Sequence, residues 1–294
     1  MNRRQLITAL SAICLAFAVP ASNAAQPLQL QVYNPGDKAI FPVTSVIVSG
    51  ERNAILVDAQ FQRNDAEQLV QRIKDSGKNL TTVYISHSDP DYYFGLDVIQ
   101  TAFPAAKIVA TPQTVAAIKA NMDGKLAYWG PILKDNAPHK LVLPQALKGD
   151  RLTLEGKAID IKGLKGPNPE RSYLWIPSLK TVAGGVVVAN GIHVWMADTQ
   201  TPQSRKDWQT TLGDIAKLKP AVVVPGHFLG EAPKGLAAVS YTNEYLIAFD
   251  AEAAKAKDST ALVAAMKTDF PQAGQIGSLE LSAKVIKGEM KWPQ

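Results

Sequence analysis

The sequence predicts a layered α/β protein built on mixed sheets. Three observations lead there: strand-like and helix-like segments alternate along the chain, their apolar residues recur with periods of two and of about 3.6, and the length leaves room for an ample core. The chain has 294 residues, 46% apolar and 19% charged. It shows no low-complexity tract and no internal repeat.

The first segment stands apart. In "MNRRQLITALSAICLAFAVPASNAAQ", Arg3 and Arg4 precede an apolar run from Leu6 to Val19, followed by Pro20 and small residues that allow cleavage after Ala24. That order is the charged, apolar and small-residue order of a secretory signal. The run is shorter than the roughly 20 residues a membrane anchor needs. "NRRQLI" is similar to a twin-arginine signal only in its two arginines, so export of the unfolded chain is the expected route. Residues 1–24 are expected to be removed, leaving residues 25–294 as one periplasmic or secreted domain. Cys14 is the only cysteine and leaves with the signal, so the mature protein has no disulfide and no thiolate. The formal charge falls from +5 to +3 (29 basic residues against 26 acidic). The basic residues are scattered, so neither nucleic acid nor stable membrane insertion is expected.

"LQLQVYNPG", "AIFPVTSVIVSG" and "NAILVDAQ" read as strands parted by turn residues. A helix follows, with Asn64 as its expected cap, Glu67 three residues on, Ala66, Leu69, Val70 and Ile73 on one face, and Gly77 closing it. "LTTVYIS" is a β-branched strand that runs directly into "HSDPDYYFG". There Pro90 limits the backbone, and Gly95 is expected to supply an unusual dihedral. After "KIVAT", the stretch Pro112–Asp135 reads as helix broken near Gly130-Pro131. "KLVLP", "RLTLEGKAIDIKG", "SYLWIP" and "TVAGGVVV" return to strands. Ser204 is expected to open a helix with Trp208, Leu212 and Ile215 on one face, ended by Pro220. "AVVVPGHF" is the final strand, and the C-terminal region is helical.

The chemistry lies with the histidines. Of the four, His87 and His227 directly follow strands, where a rigid mount meets a loop. His87 has Asp89 and Asp91 two and four residues on, and clustered histidine and carboxylate donors are what a divalent cation needs. Without a cation the two carboxylates would repel each other, unless they cap the helix that begins near Gly95.

At this point several ordered motifs resemble the metallo-β-lactamase-fold hydrolases. "ILVDAQ", ending its strand at Asp58, is similar to the family's early strand, and "SHSDPDYYFG" to its H-x-H-x-D-H loop. "GPNPERSYLWIP" falls on its histidine turn, "TVAGGVVV" on its "GD" strand, and "VVVPGHF" on its closing "PGH". The resemblance spans roughly Val46 to Gly230. It implies an αββα sandwich of two mixed sheets flanked by helices. Residue by residue, it keeps His87, Asp91 and His227, places Asp89 and Tyr92 where the family has histidines, and leaves Pro167 and Gly185 where two further ligands would stand.

The resemblance therefore implies a reduced site of His87, Asp89, Asp91 and His227 holding one divalent ion, zinc foremost and iron(II) or manganese next. Asp91 is expected to orient a water, and Tyr92 to donate to developing oxyanion charge. His193 and Trp195, in "HVWMADT", are expected at the pocket mouth, and His139 on an exposed loop. The activity implied is hydrolysis of a small ester, lactone, amide or phosphate. The alternative, suggested by Pro167 and Gly185, is a binding or scaffolding protein on the same fold with no metal.

Overall fold

The computed structural model describes residues 26–292. The expected signal and Cys14 lie outside the described residues.

Six strands cross the first sheet in chain order: β1 (Gln29–Tyr33), β2 (Ser45–Ser49), β3 (Asn53–Val57), β4 (Asn79–Ile85), β5 (Lys107–Ala110) and β6 (Gln145–Ala146). The first three run antiparallel, and the pairs from β3 to β6 are parallel. Parallel neighbours need crossovers. These carry α1 (Arg63–Asp75), α2 (Pro90–Tyr93), α3 (Leu96–Ala102) and α4 (Pro112–Leu133). The chain continues through β7 (Arg151–Leu154), β8 (Lys157–Lys162), β9 (Tyr173–Ile176), β10 (Thr181–Ala183), β11 (Ala189–Asn190), β12 (Val222–Val223) and β13 (His227–Phe228). Five of these form the second sheet in the order β12-β10-β9-β8-β7, while β11 and β13 pair in parallel beside it. The remaining helices are α5 (Pro202–Lys217), α6 (Ala237–Lys255), α7 (Ser259–Asp269) and α8 (Ile276–Ile286).

Period-two alternation creates the layers. Ile47, Leu56, Val83 and Ile85 point to the helix side, where they pack with Phe61, Leu69, Ile73 and Ile118. Their neighbours Val46, Val48, Ile55, Val57 and Tyr84 point the other way and meet Leu152, Ile159, Ile161, Leu174 and Ile176 of the second sheet. The outer face of that sheet, through Tyr173, Val182 and Val223, packs on Trp208, Leu212, Ile215, Leu246 and Phe249. The result is helix, sheet, sheet, helix. At one edge of the sandwich, the Glu155 carboxylate accepts the backbone N–H groups of Glu51, Arg52 and Asn53 (2.7, 2.8 and 2.8 Å), tying the β7–β8 turn to the β2–β3 turn. No helix among the described residues is long and apolar enough to cross a membrane.

Several local expectations shift. "KLVLP" is not a strand; the sixth strand directly follows it, at Gln145–Ala146. Gln62 rather than Asn64 precedes α1, and its Oε1 accepts the N–H of Ile40 instead of capping the helix. Ser204 lies inside α5, where it completes a capping box opened by Thr201. Helix α4 continues through Pro131 to Leu133, because a proline so near the end removes little of the helical bonding. Gly95 has an ordinary φ of −73°. What demands glycine there is space: a Cβ would lie 2.0 Å from the Ala59 carbonyl oxygen and 2.7 Å from the Ala66 Cβ. Gly95→Ala is therefore expected to cost roughly 1–3 kcal/mol by overpacking. Urea unfolding checks this, and a variant as stable as the parent would show that the α1–α3 contact yields freely.

Candidate functional site

Strands β3, β4 and β10 release their loops toward a common place, and one buried aspartate ties the three together. Asp58, just past β3, has φ +64°, a conformation more open to aspartate than to most residues. Its Oδ1 accepts the N–H of Ser86 at 2.8 Å and its Oδ2 accepts the Ser86 hydroxyl at 2.7 Å. The Ser86 oxygen in turn accepts the N–H of Gly185 at 2.7 Å, across the sandwich. Burial, above all, pushes the Asp58 carboxyl up to about 8; the Ser86 bonds oppose this and the Asp91 charge adds to it.

His87 follows Ser86. Its Nδ1 accepts the Asp89 N–H at 3.2 Å and lies 3.3 Å from Asp89 Oδ2. Among the described residues its Nε2 has no hydrogen-bond partner. Asp89 occupies the cap position of α2, yet its carboxylate does not cap the helix. Instead Asp89 Oδ1 accepts a hydrogen bond from the Lys125 ammonium of α4 at 2.7 Å. Burial alone would raise the Asp89 pKa, but His87 and Lys125 outweigh it and hold the carboxyl well below its usual range. Burial likewise opposes the Lys125 charge, and Asp89 overcomes it, so the lysine pKa is raised. The pair is ionised on both sides.

Across the site, Asp91 Oδ2 accepts from His227 Nε2 at 2.7 Å, and Tyr92 donates its hydroxyl to His227 Nδ1 at 3.2 Å. Acceptor-only Asp91 fixes that tautomer. Tyr92 is fully buried, and both imidazoles meet its ring edge-on at centroid distances of 5.5 and 5.6 Å. Burial first, then Asp91 and its acidic neighbours, push the Tyr92 hydroxyl well above its usual value. The Tyr92 hydroxyl, expected to donate to developing oxyanion charge, is engaged with His227 in this structure.

The structure adds a second cation. Arg171 follows the exposed Pro167 loop and is itself 7% exposed. Its guanidinium lies 4.3 Å over the Trp208 ring and donates from Nη2 to Thr199 Oγ1 at 2.8 Å, while Nη1 has no partner. Burial lowers its pKa, and the charges of Asp89 and Asp198 partly restore it. Sequence reasoning missed both cations. Arg171 did carry a signal, as a lone arginine in the turn that the resemblance assigns to the site; Lys125, on a helix over a hundred residues from His227, carried none.

Trp195 and Trp292 donate their indole N–H groups to the two oxygens of the exposed Asp198, at 2.6 and 2.9 Å, and pack at 5.4 Å. His193 is not brought to the cluster. It is 2% exposed within the C-terminal helical core, its Nδ1 3.2 Å from the Tyr245 hydroxyl, and burial lowers its pKa. His139 is exposed, and its N–H donates to Asp97.

These residues do not fit a metal ion as they stand. The donors are divided into His87–Asp89 and His227–Asp91 pairs, and Asp89 already carries an ammonium. Among the described residues, no three histidine, cysteine or acidic side chains converge as an ion requires. Gly185 has φ +81°, and a Cβ there would meet the Ser172 carbonyl oxygen at 2.2 Å, so backbone leaves no room for a side chain where the resemblance would place a further ligand.

Comparison with known proteins agrees with the fold. The sequence pattern of the metallo-beta-lactamase superfamily matches residues 39–227. A metallo-beta-lactamase from Pontibacter korlensis superposes with a TM-score of 0.55 at 18% identity, over 75% of this chain and 95% of that one. The DIM-1 metallo-beta-lactamase does so with 0.51 at 20% identity, over 76% and 98%. At such identities the likeness establishes the fold. Among curated proteins none matches the chain by sequence.

Asp58 sets a pH dependence. The folded protein keeps its proton up to about pH 8, whereas an unfolded aspartate releases it near 4. Its contribution to stability is therefore complete below about pH 4 and is lost as pH rises through 8, with a slope of at most about 1.4 kcal/mol per pH unit. Asp58→Asn, which keeps an acceptor for the Ser86 N–H, is expected to flatten that slope in urea titrations. An unchanged slope would remove Asp58 as its source.

Proposed function

The chain belongs to the metallo-beta-lactamase superfamily, and on that premise we propose that it is a hydrolase of a small anionic ester, lactone, amide or phosphate that uses His87 as its base and built-in cations as its positive charge. The observation that carries this reading is the His87 ring: a mostly buried imidazole held by Asp89 on one nitrogen and without a partner on the other. As it stands Nδ1 accepts the Asp89 N–H; when the ring proton sits on Nδ1 instead, facing Asp89 Oδ2 at 3.3 Å, Nε2 offers a lone pair to a water. The water oxygen adds to the carbonyl carbon or phosphorus as its proton passes to Nε2, and the same proton then goes to the leaving group. Asp89 stabilises the imidazolium, while Lys125 and Arg171 stabilise negative charge on the substrate. Both nitrogens of His227 are engaged, so it positions Asp91 and Tyr92 rather than turning over. Residues 1–24 support a place outside the cytoplasm.

A rival reading retains one divalent ion on His87, Asp89, Asp91 and His227, as members of the superfamily generally bind zinc or similar ions. What favours it is that both imidazoles remain packed on the one Tyr92 ring.

Chromogenic esters, lactones and phosphates offered to the mature protein in the presence of a chelator test the reading. Turnover is expected to survive the chelator, and His87→Ala to lower kcat/KM by about 100-fold or more. Activity abolished by chelator and restored by zinc would sustain the rival instead. No turnover of any of them, with small anions still bound, would leave the non-catalytic binding role.

A further inference from the structure

We infer that Lys125 is a tethered cation standing in for the superfamily's metal ion, and that this ammonium, by holding Asp89 apart from the other donors, keeps divalent ions off the His87 loop. The inference rests on the reading above that the site works without a metal.

The first argument is occupancy. Lys125 Nζ sits 2.7 Å from Asp89 Oδ1 and 3.4 Å from the Ser88 carbonyl oxygen, on the residue that stands where the family has its second signature histidine. An ion seeking that carboxylate must displace an ammonium already hydrogen-bonded to it. The root of the side chain is firmly held. One turn further along α4, Trp129 is wedged edge-on between Phe41 and Phe61, at ring-centroid distances of 5.3 and 5.4 Å.

The second argument is charge. Asp89 and Asp91 supply two negative charges, and Lys125 and Arg171 supply two positive ones. With both imidazoles neutral these four charges cancel, and the exposed Asp198 nearby adds one negative charge. A divalent ion would therefore leave an excess of positive charge in a largely buried site, which is costly. Removing Lys125 reverses both terms: it frees Asp89 Oδ1 and lowers the charge by one. His87 and His227 should stay packed on Tyr92, because that packing does not involve the lysine, and Asp89, once freed, can turn toward them and Asp91 to bring together the donors that do not converge while the ammonium holds it.

The test is zinc binding by the mature protein. Wild type, Lys125→Met and Lys125→Arg are each dialysed against zinc chloride and then buffer. Bound zinc is measured by elemental analysis and by competition with a chromogenic chelator. Wild type and Lys125→Arg are expected to retain little zinc, and Lys125→Met about one equivalent, bound at least about tenfold more tightly than by wild type. The added His87→Ala change should abolish the gain. Near-ultraviolet circular dichroism confirms that each variant is folded, and Lys125→Gln asks the same question should Lys125→Met not fold. About one equivalent of zinc in wild type overturns the inference, as does a folded Lys125→Met that takes up none. Gain of zinc by the variant alongside an inactive wild type would uphold the inference while removing the hydrolase reading, so the two can fail separately.

Discussion

The site depends on the Asp58–Ser86–Gly185 connection. One carboxylate accepts both bonds that Ser86 can offer it, and Ser86 passes the connection to the backbone of the opposite sheet. The His87 loop is thereby fixed to β3 and to the end of β10 at once, before any ligand is present. A carboxyl group with so little water is costly to ionise, which is why its proton is held so far above the usual range. Its left-handed backbone is a second cost. Strain and burial of this kind persist only where the surrounding structure determines the position from several sides, and here β3, β4 and β10 do so.

Above this connection the site is an arrangement of pairs. Each imidazole has a carboxylate, and the carboxylate of the first also has a lysine. Pairing relieves the repulsion between Asp89 and Asp91 that would otherwise require a cation. It also gives the two histidines different chemistry. His227 spends both nitrogens on Asp91 and Tyr92 and is fixed in place; His87 spends one and keeps one. Two groups of the same type are thus separated into a support and a candidate base by their neighbours alone, the same logic that separates paired carboxylates in acid–base enzymes.

Much of the layering was legible because it rests on local pattern. Alternation in "SVIVS", "NAILV" and "LTTVYI" identifies strands with two buried faces, and the spacing of Leu69 and Ile73 or of Trp208, Leu212 and Ile215 identifies the covering helices. The His87 loop was legible because His87, Asp89 and Asp91 are neighbours in sequence. Lys125 was not, since nothing local distinguishes it from the other lysines and only the path of α4 brings it to Asp89. His193 misled for the converse reason. A histidine in "HVWMADT" near the expected pocket has the right composition, but the irregular segment after β11 that bears it turns its ring toward Tyr245 and the helical core. Gly95 was read as a dihedral requirement when the constraint was the approach of the Ala59 carbonyl, which depends on residues far along the chain.

The two missing ligand positions are different in kind. Pro167 lies on an exposed turn, and the residue from that turn that enters the interior is Arg171. Gly185 instead is enclosed by backbone. A Cβ there meets the Ser172 carbonyl oxygen, a Cβ at Gly226 would meet the Gly185 carbonyl oxygen at 2.2 Å, and the Gly185 N–H is committed to Ser86. An aspartate restored at position 185 would therefore need a backbone conformation unfavourable to it and would break the connection to Asp58. One lost position brings in a positive charge, and the other closes with main chain. Both features oppose a two-ion centre, and they do so through packing and charge rather than through the bare absence of a ligand.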